Sequence, residues 1–143
     1  MFKHAYLIIG ISILSHFLFF SCAPSMKSAE RFKEGVFEIP AGEGYDKTII
    51  TRIESLQIEE YTKLISMTTD SGIVEKQQKR IDTLFIQWKN NFFYTLKMKS
   101  PKKEIDNDPI FVQITKVTDS TYEFTAKIGF SNFEQKGTVY KIK

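Results

Sequence analysis

Ile110-Phe-Val-Gln-Ile-Thr-Lys-Val-Thr-Asp-Ser-Thr-Tyr-Glu-Phe-Thr-Ala-Lys-Ile-Gly-Phe130 decides the fold. Ile110, Val112 and Ile114 alternate with Phe111, Gln113 and Thr115. After Thr118-Asp119-Ser120, Tyr122, Phe124, Ala126, Ile128 and Phe130 alternate with Glu123, Thr125 and Lys127. A hydrophobic period of two marks strands with one buried face, and a short polar break between two such runs marks a hairpin.

The same period spreads outward in both directions. Gly35-Val-Phe-Glu-Ile39 places Phe37 and Ile39 on one face, and Pro40-Ala-Gly-Glu-Gly44 breaks the run. Lys47–Arg52 and Leu56–Met67 form further extended runs. In the second, the apolar phase passes from Leu56 and Ile58 to Tyr61, Ile65 and Met67, which predicts a bulge near Glu60. Thr69-Asp70-Ser71-Gly72 reads as a turn into a fourth run, Ile73–Trp88, whose stretch Glu75-Lys-Gln-Gln-Lys-Arg80 fits a helix or a solvated strand end. Leu84-Phe85-Ile86 is apolar on both faces. Lys89-Asn90-Asn91 turns the chain into Phe92–Met98, where Phe92, Tyr94, Leu96 and Met98 share a side. Gln135–Lys141 closes the series, with Gly137 as a kink.

Seven or eight strands joined by short turns predict an all-β domain built as an antiparallel meander. Tight sequential links favour a small lipocalin-like up-and-down barrel over a β-sandwich, the alternative. Phe37, Phe92, Tyr94, Tyr122, Phe124 and Phe130 supply inward aromatic bulk, at about 1.5–3 kcal/mol per buried large apolar side chain. Phe37, Tyr94, Tyr122 and Phe124 are the candidate lining of a ligand cavity. Because no polar anchor stands out among them, the expectation is that they fill the interior instead.

The first twenty residues differ from the rest. Lys3 and His4 precede an apolar run, Ala5–Phe20, interrupted only by Ser12, Ser15 and His16, and no acid occurs in this stretch. At about 1.5 Å per residue it is short for a membrane core of about 30 Å. Its pattern is that of a cleaved signal over residues 1–21. Removing those from 143 leaves 122 residues, enough for one domain. Residues 22–33 read as a tether and 34–143 as the β-domain.

Both histidines, His4 and His16, lie in the leader, and Cys22 is the sole cysteine. The body after Cys22 therefore has no histidine or thiol, which removes Ser-His-Asp and Cys-His catalysis, intramolecular disulfides and the commonest zinc ligands. No cofactor motif occurs, and the expectation is a protein that is not an enzyme. Lys3 aside, 19 basic residues face 17 acids with no concentrated basic stripe, which argues against a nucleic-acid partner.

Other clusters have plain structural readings. Glu104, Asp106 and Asp108 lack the spacing of a calcium loop. Lys97 and Lys99 are outward strand positions, and Lys102 and Lys103 extend the same solvated face. Trp88, Phe93 and Phe111 sit on the phase opposite the clearest apolar faces and are expected to be covered from outside. Glu59 and Glu60 are adjacent, so in a strand they point to opposite faces and cannot act as an acid/base pair.

Phe19-Phe20-Ser21-Cys22 ends the apolar run and is followed by Ala23-Pro24-Ser25. This segment resembles a bacterial lipoprotein leader. The resemblance implies that the Cys22 thiol carries a diacylglycerol, that the leader is cut before it, and that acyl chains such as palmitate hold the protein on a membrane. Each buried methylene adds about 0.8 kcal/mol to such an anchor. Taken with Gly35-Val-Phe37, Leu84-Phe-Ile-Gln-Trp88, Asn90-Asn91 and Gln135-Lys-Gly-Thr138, the chain resembles small uncharacterised Bacteroidota lipoproteins. Some of these carry a DNA topoisomerase IV label, for which a body of 122 residues has no room. The resemblance implies a lipid-anchored binding or envelope-accessory module of the outer membrane, on its periplasmic face or at the cell surface. Its partner is then an envelope protein or a small apolar ligand.

Overall fold

A computed structural model describes residues 29–42 and 46–143. Eight antiparallel strands run in sequence order around a closed barrel: β1 (Gly35–Ile39), β2 (Thr48–Ile53), β3 (Leu56–Thr69), β4 (Gly72–Asn90), β5 (Phe93–Met98), β6 (Ile110–Val117), β7 (Thr121–Ile128) and β8 (Glu134–Lys141). Every neighbour in space is a neighbour in sequence, except at the seam where β8 returns to β1. There Phe37 faces Lys141 and Glu38 faces Tyr140, and Val36 and residues Ile142 and Lys143 extend the ladder. Closure pairs every strand of the barrel on both sides, and only the outer parts of β3 and β4, which run on past β2 and β5, keep a free edge.

The barrel, and not the sandwich, follows from the turns. Asp70-Ser71 connects β3 to β4 by pairing Thr69 with Gly72, and Thr118 and Thr121 close the β6–β7 turn through mutual hydroxyl and backbone hydrogen bonds. Links this short force each strand to pair with the next. The stretch 100–109 contains a turn of 3₁₀ helix, Glu104–Asn107. The Asp106 carboxylate holds it by accepting from the Lys102 and Lys103 amides at 2.9 Å each, which keeps that carboxyl below its usual range. Of the three acids in this stretch, Asp106 serves the loop through its carboxylate, and among the described residues no group of three or more His, Cys, Asp or Glu is placed to hold a metal.

Phe37, Ile50, Leu84, Ile86, Tyr94, Leu96, Val112, Ile114, Tyr122, Phe124 and Val139 form the buried interior. Several expectations need correction. β3 pairs with β4 without interruption from Leu56↔Phe85 to Thr69↔Gly72, so the bulge near Glu60 is absent. With that register kept, Gln57, Glu59 and Tyr61 point inward, while Leu56 and Ile58 take the outer face. Residues 75–80 are strand. Trp88 shares its phase with Leu84 and Ile86 and packs on the core. Phe130 lies beyond the end of β7 and is fully exposed. Phe93 and Phe111 stack on the outside at 6.5 Å between centroids. Gly137 continues β8 without a kink and faces the Phe124 ring, where a Cβ would stand 2.9 Å from two ring carbons.

The segment before β1 is part of the barrel. Ala29 and Phe32 are buried, and the Phe32 ring lies 5.1 Å from Tyr122 and 6.1 Å from Phe37. The end of the expected tether over 22–33 therefore plugs one barrel mouth. Cys22 lies outside the described residues, as do the leader and residues 43–45. No helix among the described residues is long and apolar enough to cross a membrane.

Candidate functional site

Behind the plug, a buried arginine organises the closed end. Arg52 ends the inward series Thr48, Ile50, Arg52 on β2 and is 1% exposed. Its guanidinium donates through Nε to Gln57 Oε1 (2.8 Å) and through Nη1 to the Phe32 carbonyl (2.7 Å). Nη2 donates to the hydroxyls of Tyr94 (2.9 Å) and Tyr122 (2.7 Å). The rings of Tyr94, Phe37, Trp88 and Tyr122 surround it, with centroids 4.8–5.6 Å from Cζ. A guanidinium stays protonated in a protein, so this cation is held by neutral dipoles and ring faces. Burial pushes the Tyr94 hydroxyl well above the usual phenol range and keeps it neutral.

Gln57 passes this network into the barrel. Its amide oxygen accepts from Arg52, and its Nε2 donates to Glu59 Oε1 at 2.6 Å. Glu59 faces Asp82 across the β3–β4 pair, and Asp82 accepts from the Tyr61 hydroxyl at 2.6 Å. Burial, above all, raises the Glu59 carboxyl above its ordinary value, and the nearby Asp82 charge adds to the effect. The Gln57 hydrogen bond and the Arg52 charge oppose it. Burial and the bond to Asp82 push the Tyr61 hydroxyl up to about 12. Glu60, the neighbour of Glu59 in sequence, points outward to Lys79 Nζ at 2.8 Å, as alternation requires.

These side chains form one wall of an interior cavity of about 370 Å³. The rest of the lining is mostly apolar, with Tyr94, Leu96 and Met98 from β5, Ile110 and Val112 from β6, and Phe124 and Ala126 from β7, and Gln135 of β8 is a polar member. Of the four aromatic candidates, Tyr94 and Phe124 line this space. Phe37 and Tyr122 lie at the plugged end and are fully buried. The expectation of a filled interior is overturned. Gln57 and Glu59 of β3 are polar, and the carboxylates of Glu59 and of Asp82 on β4 cannot pack against each other as apolar side chains do, so the space beside them stays open. A wider groove of about 610 Å³ along Thr62, Lys63 and Leu64 shares Thr48 and Tyr61 with the cavity and adjoins its mouth.

Arg52, Gln57 and Glu59 escape a reading by hydrophobic period, because each is a polar residue on an inward phase. The available signal was Thr48-Ile-Ile-Thr-Arg52, where alternation from Ile50 puts the arginine inside. Compared with protein-family models, curated proteins and solved structures, the chain matches none.

Proposed function

We propose that this protein is a lipid-anchored binding module whose barrel holds a small, largely apolar ligand. One observation carries the reading: the closed eight-stranded barrel is plugged at one end and holds a two-sided cavity of about 370 Å³ that opens to solvent. That size falls in the range of about 300–1,000 Å³ typical of small-molecule sites, and an apolar lining with a few convergent polar groups is their usual character. The plug and the Arg52 network give the cavity a rigid floor, as preformed sites require. The leader and Cys22 support attachment by acyl chains, in the outer membrane and exposed to the periplasm or the cell surface.

A second reading has its own support. β3 and β4 pair with each other far past the ends of β2 and β5, making an arm that carries Leu64, Met67, Ile73 and Val74, each more than half exposed. Exposed apolar residues on a projecting hairpin suit docking to an envelope protein. Native mass spectrometry of the protein purified from its own host separates the two. A stoichiometric small molecule on the intact barrel is the expected result. A bare barrel with a co-purifying envelope protein would favour docking by the arm.

A further inference from the structure

The β3–β4 wall of the cavity presents open acceptors, and Gln135 of β8 adds a polar side chain to the lining. Gln57 Nε2 is spent on Glu59, the Tyr61 hydroxyl on Asp82, and the Thr48 hydroxyl on the Asp46 carbonyl at 3.5 Å. Each carboxylate has one oxygen with no hydrogen bond among the described residues. Neither carboxylate has an ion-pair partner there. Glu60, Glu38, Glu123 and Glu134, all on the outside of the barrel, have lysines within 2.8–3.6 Å. Two guanidiniums stand outside the lining: Arg52, whose charge reaches Glu59 and whose hydrogen bond stops at Gln57, and Arg80, which stands beside Tyr61 and whose buried Nε has no hydrogen-bond partner among the described residues.

We infer that the ligand is an amphiphile bearing a protonated amine, with its ammonium between Glu59 and Asp82 and its apolar body against the wall formed by β5, β6 and β7. The inference rests on the cavity reading above. An ammonium offers three donors and a charge of the right sign, so it satisfies both free carboxylate oxygens. A fatty acid or other anionic amphiphile would set a third carboxylate against these two, and like charges in a partly desolvated site disfavour each other. The register fixes the geometry. Glu59 and Asp82 are directly opposed on neighbouring strands, a separation that one small head group bridges. Gln57 ties Glu59 to the Arg52 floor, and Tyr61 orients Asp82, so both carboxylates are held before the ligand arrives.

The test uses the full-length chain in phosphatidylcholine nanodiscs and three matched probes: 4-phenylbutylamine, 4-phenylbutanol and 4-phenylbutyrate. Trp88, the sole tryptophan, reports binding because its ring lies 4.5 Å from that of Tyr94 in the lining. At pH 7 the amine is expected to bind about tenfold more tightly than the alcohol, with the acid weakest. Glu59→Gln and Asp82→Asn, which keep side-chain shape, are each expected to reduce that preference, read as the ratio of amine to alcohol affinity, severalfold. Equal binding of the three probes, or an amine preference that survives both substitutions, overturns the inference and leaves the cavity reading standing. Binding of none of the three refutes the cavity reading itself and the inference with it.

Discussion

Arg52 Nη1 donates to the carbonyl oxygen of Phe32 across 2.7 Å, linking the segment before β1 to the second strand of the barrel. The bond joins two demands. A buried guanidinium needs acceptors, and the turn that carries Phe32 has a carbonyl that water no longer reaches. Phe32→Ala removes a ring that is 0% exposed and opens the plugged end, at an expected cost of about 3–5 kcal/mol. Arg52→Ala leaves the Phe32 carbonyl, Gln57 and two tyrosine hydroxyls short of a donor and is expected to cost about as much, about 3–5 kcal/mol. Urea unfolding followed by circular dichroism measures both. Losses under about 1 kcal/mol would mean that the segment is not part of the folded unit.

Glu59 gives stability a distinct pH dependence. Its carboxyl is raised in the folded protein above its ordinary value of 4.5, so between those two values the native state binds more protons than the unfolded one. Stability contributed by this group therefore falls as pH rises from about 4.5 through the raised value, and is lowest above it. Glu59→Gln should abolish that decline and make the protein more stable than the parent at pH 7. Thermal unfolding at intervals from pH 4 to pH 8 checks the sign. A variant less stable than the parent at pH 7 would show that the carboxylate is better solvated than its burial implies.

Gly137 makes room for Phe124. A methyl group at this position would stand 2.9 Å from two carbons of the ring, so Gly137→Ala must push Phe124 into the cavity it lines. The expected destabilisation is about 1–3 kcal/mol. Phe124→Leu in the same chain should recover part of it, because the clash is with the ring alone. A double-mutant cycle reads the coupling, and strictly additive losses would exclude this contact as the cause.

The meander was legible because its turns are short and its apolar residues alternate. β6 and β7 show this most plainly, where Val112, Ile114, Tyr122 and Phe124 are buried as the alternation requires. β3 was not legible in the same way. Leu56 and Ile58 are apolar but face outward, and Gln57 and Glu59 are polar but face inward, so the period is clear while its phase misleads. Only the register with β4, which places Leu84 opposite Gln57, settles which face is inside. Phe32 gave no periodic signal, since one residue in a turn has no pattern to belong to. Arg52 looked like the end of a strand, and its role depends on Tyr94 and Tyr122, which lie 42 and 70 residues away.

The attachment site is tested apart from the barrel. Cys22→Ser should abolish incorporation of a clickable fatty acid in the native host and release the protein from the membrane fraction. Continued labelling would refute acylation at this cysteine.

The central claim, that the interior of the barrel is a binding site, is tested most directly by methyl nuclear magnetic resonance with 4-phenylbutanol as a neutral probe. Methyl groups of Ile50, Leu84, Leu96, Ile110, Val112 and Val139, which line the cavity, are expected to shift in a saturable way. Those of Ile53, Ile81 and Leu64, which are exposed on the outside, are expected to stay unchanged. Shifts confined to Leu64, Ile73 and Val74 on the arm, with the interior methyls silent at saturating probe, would contradict it.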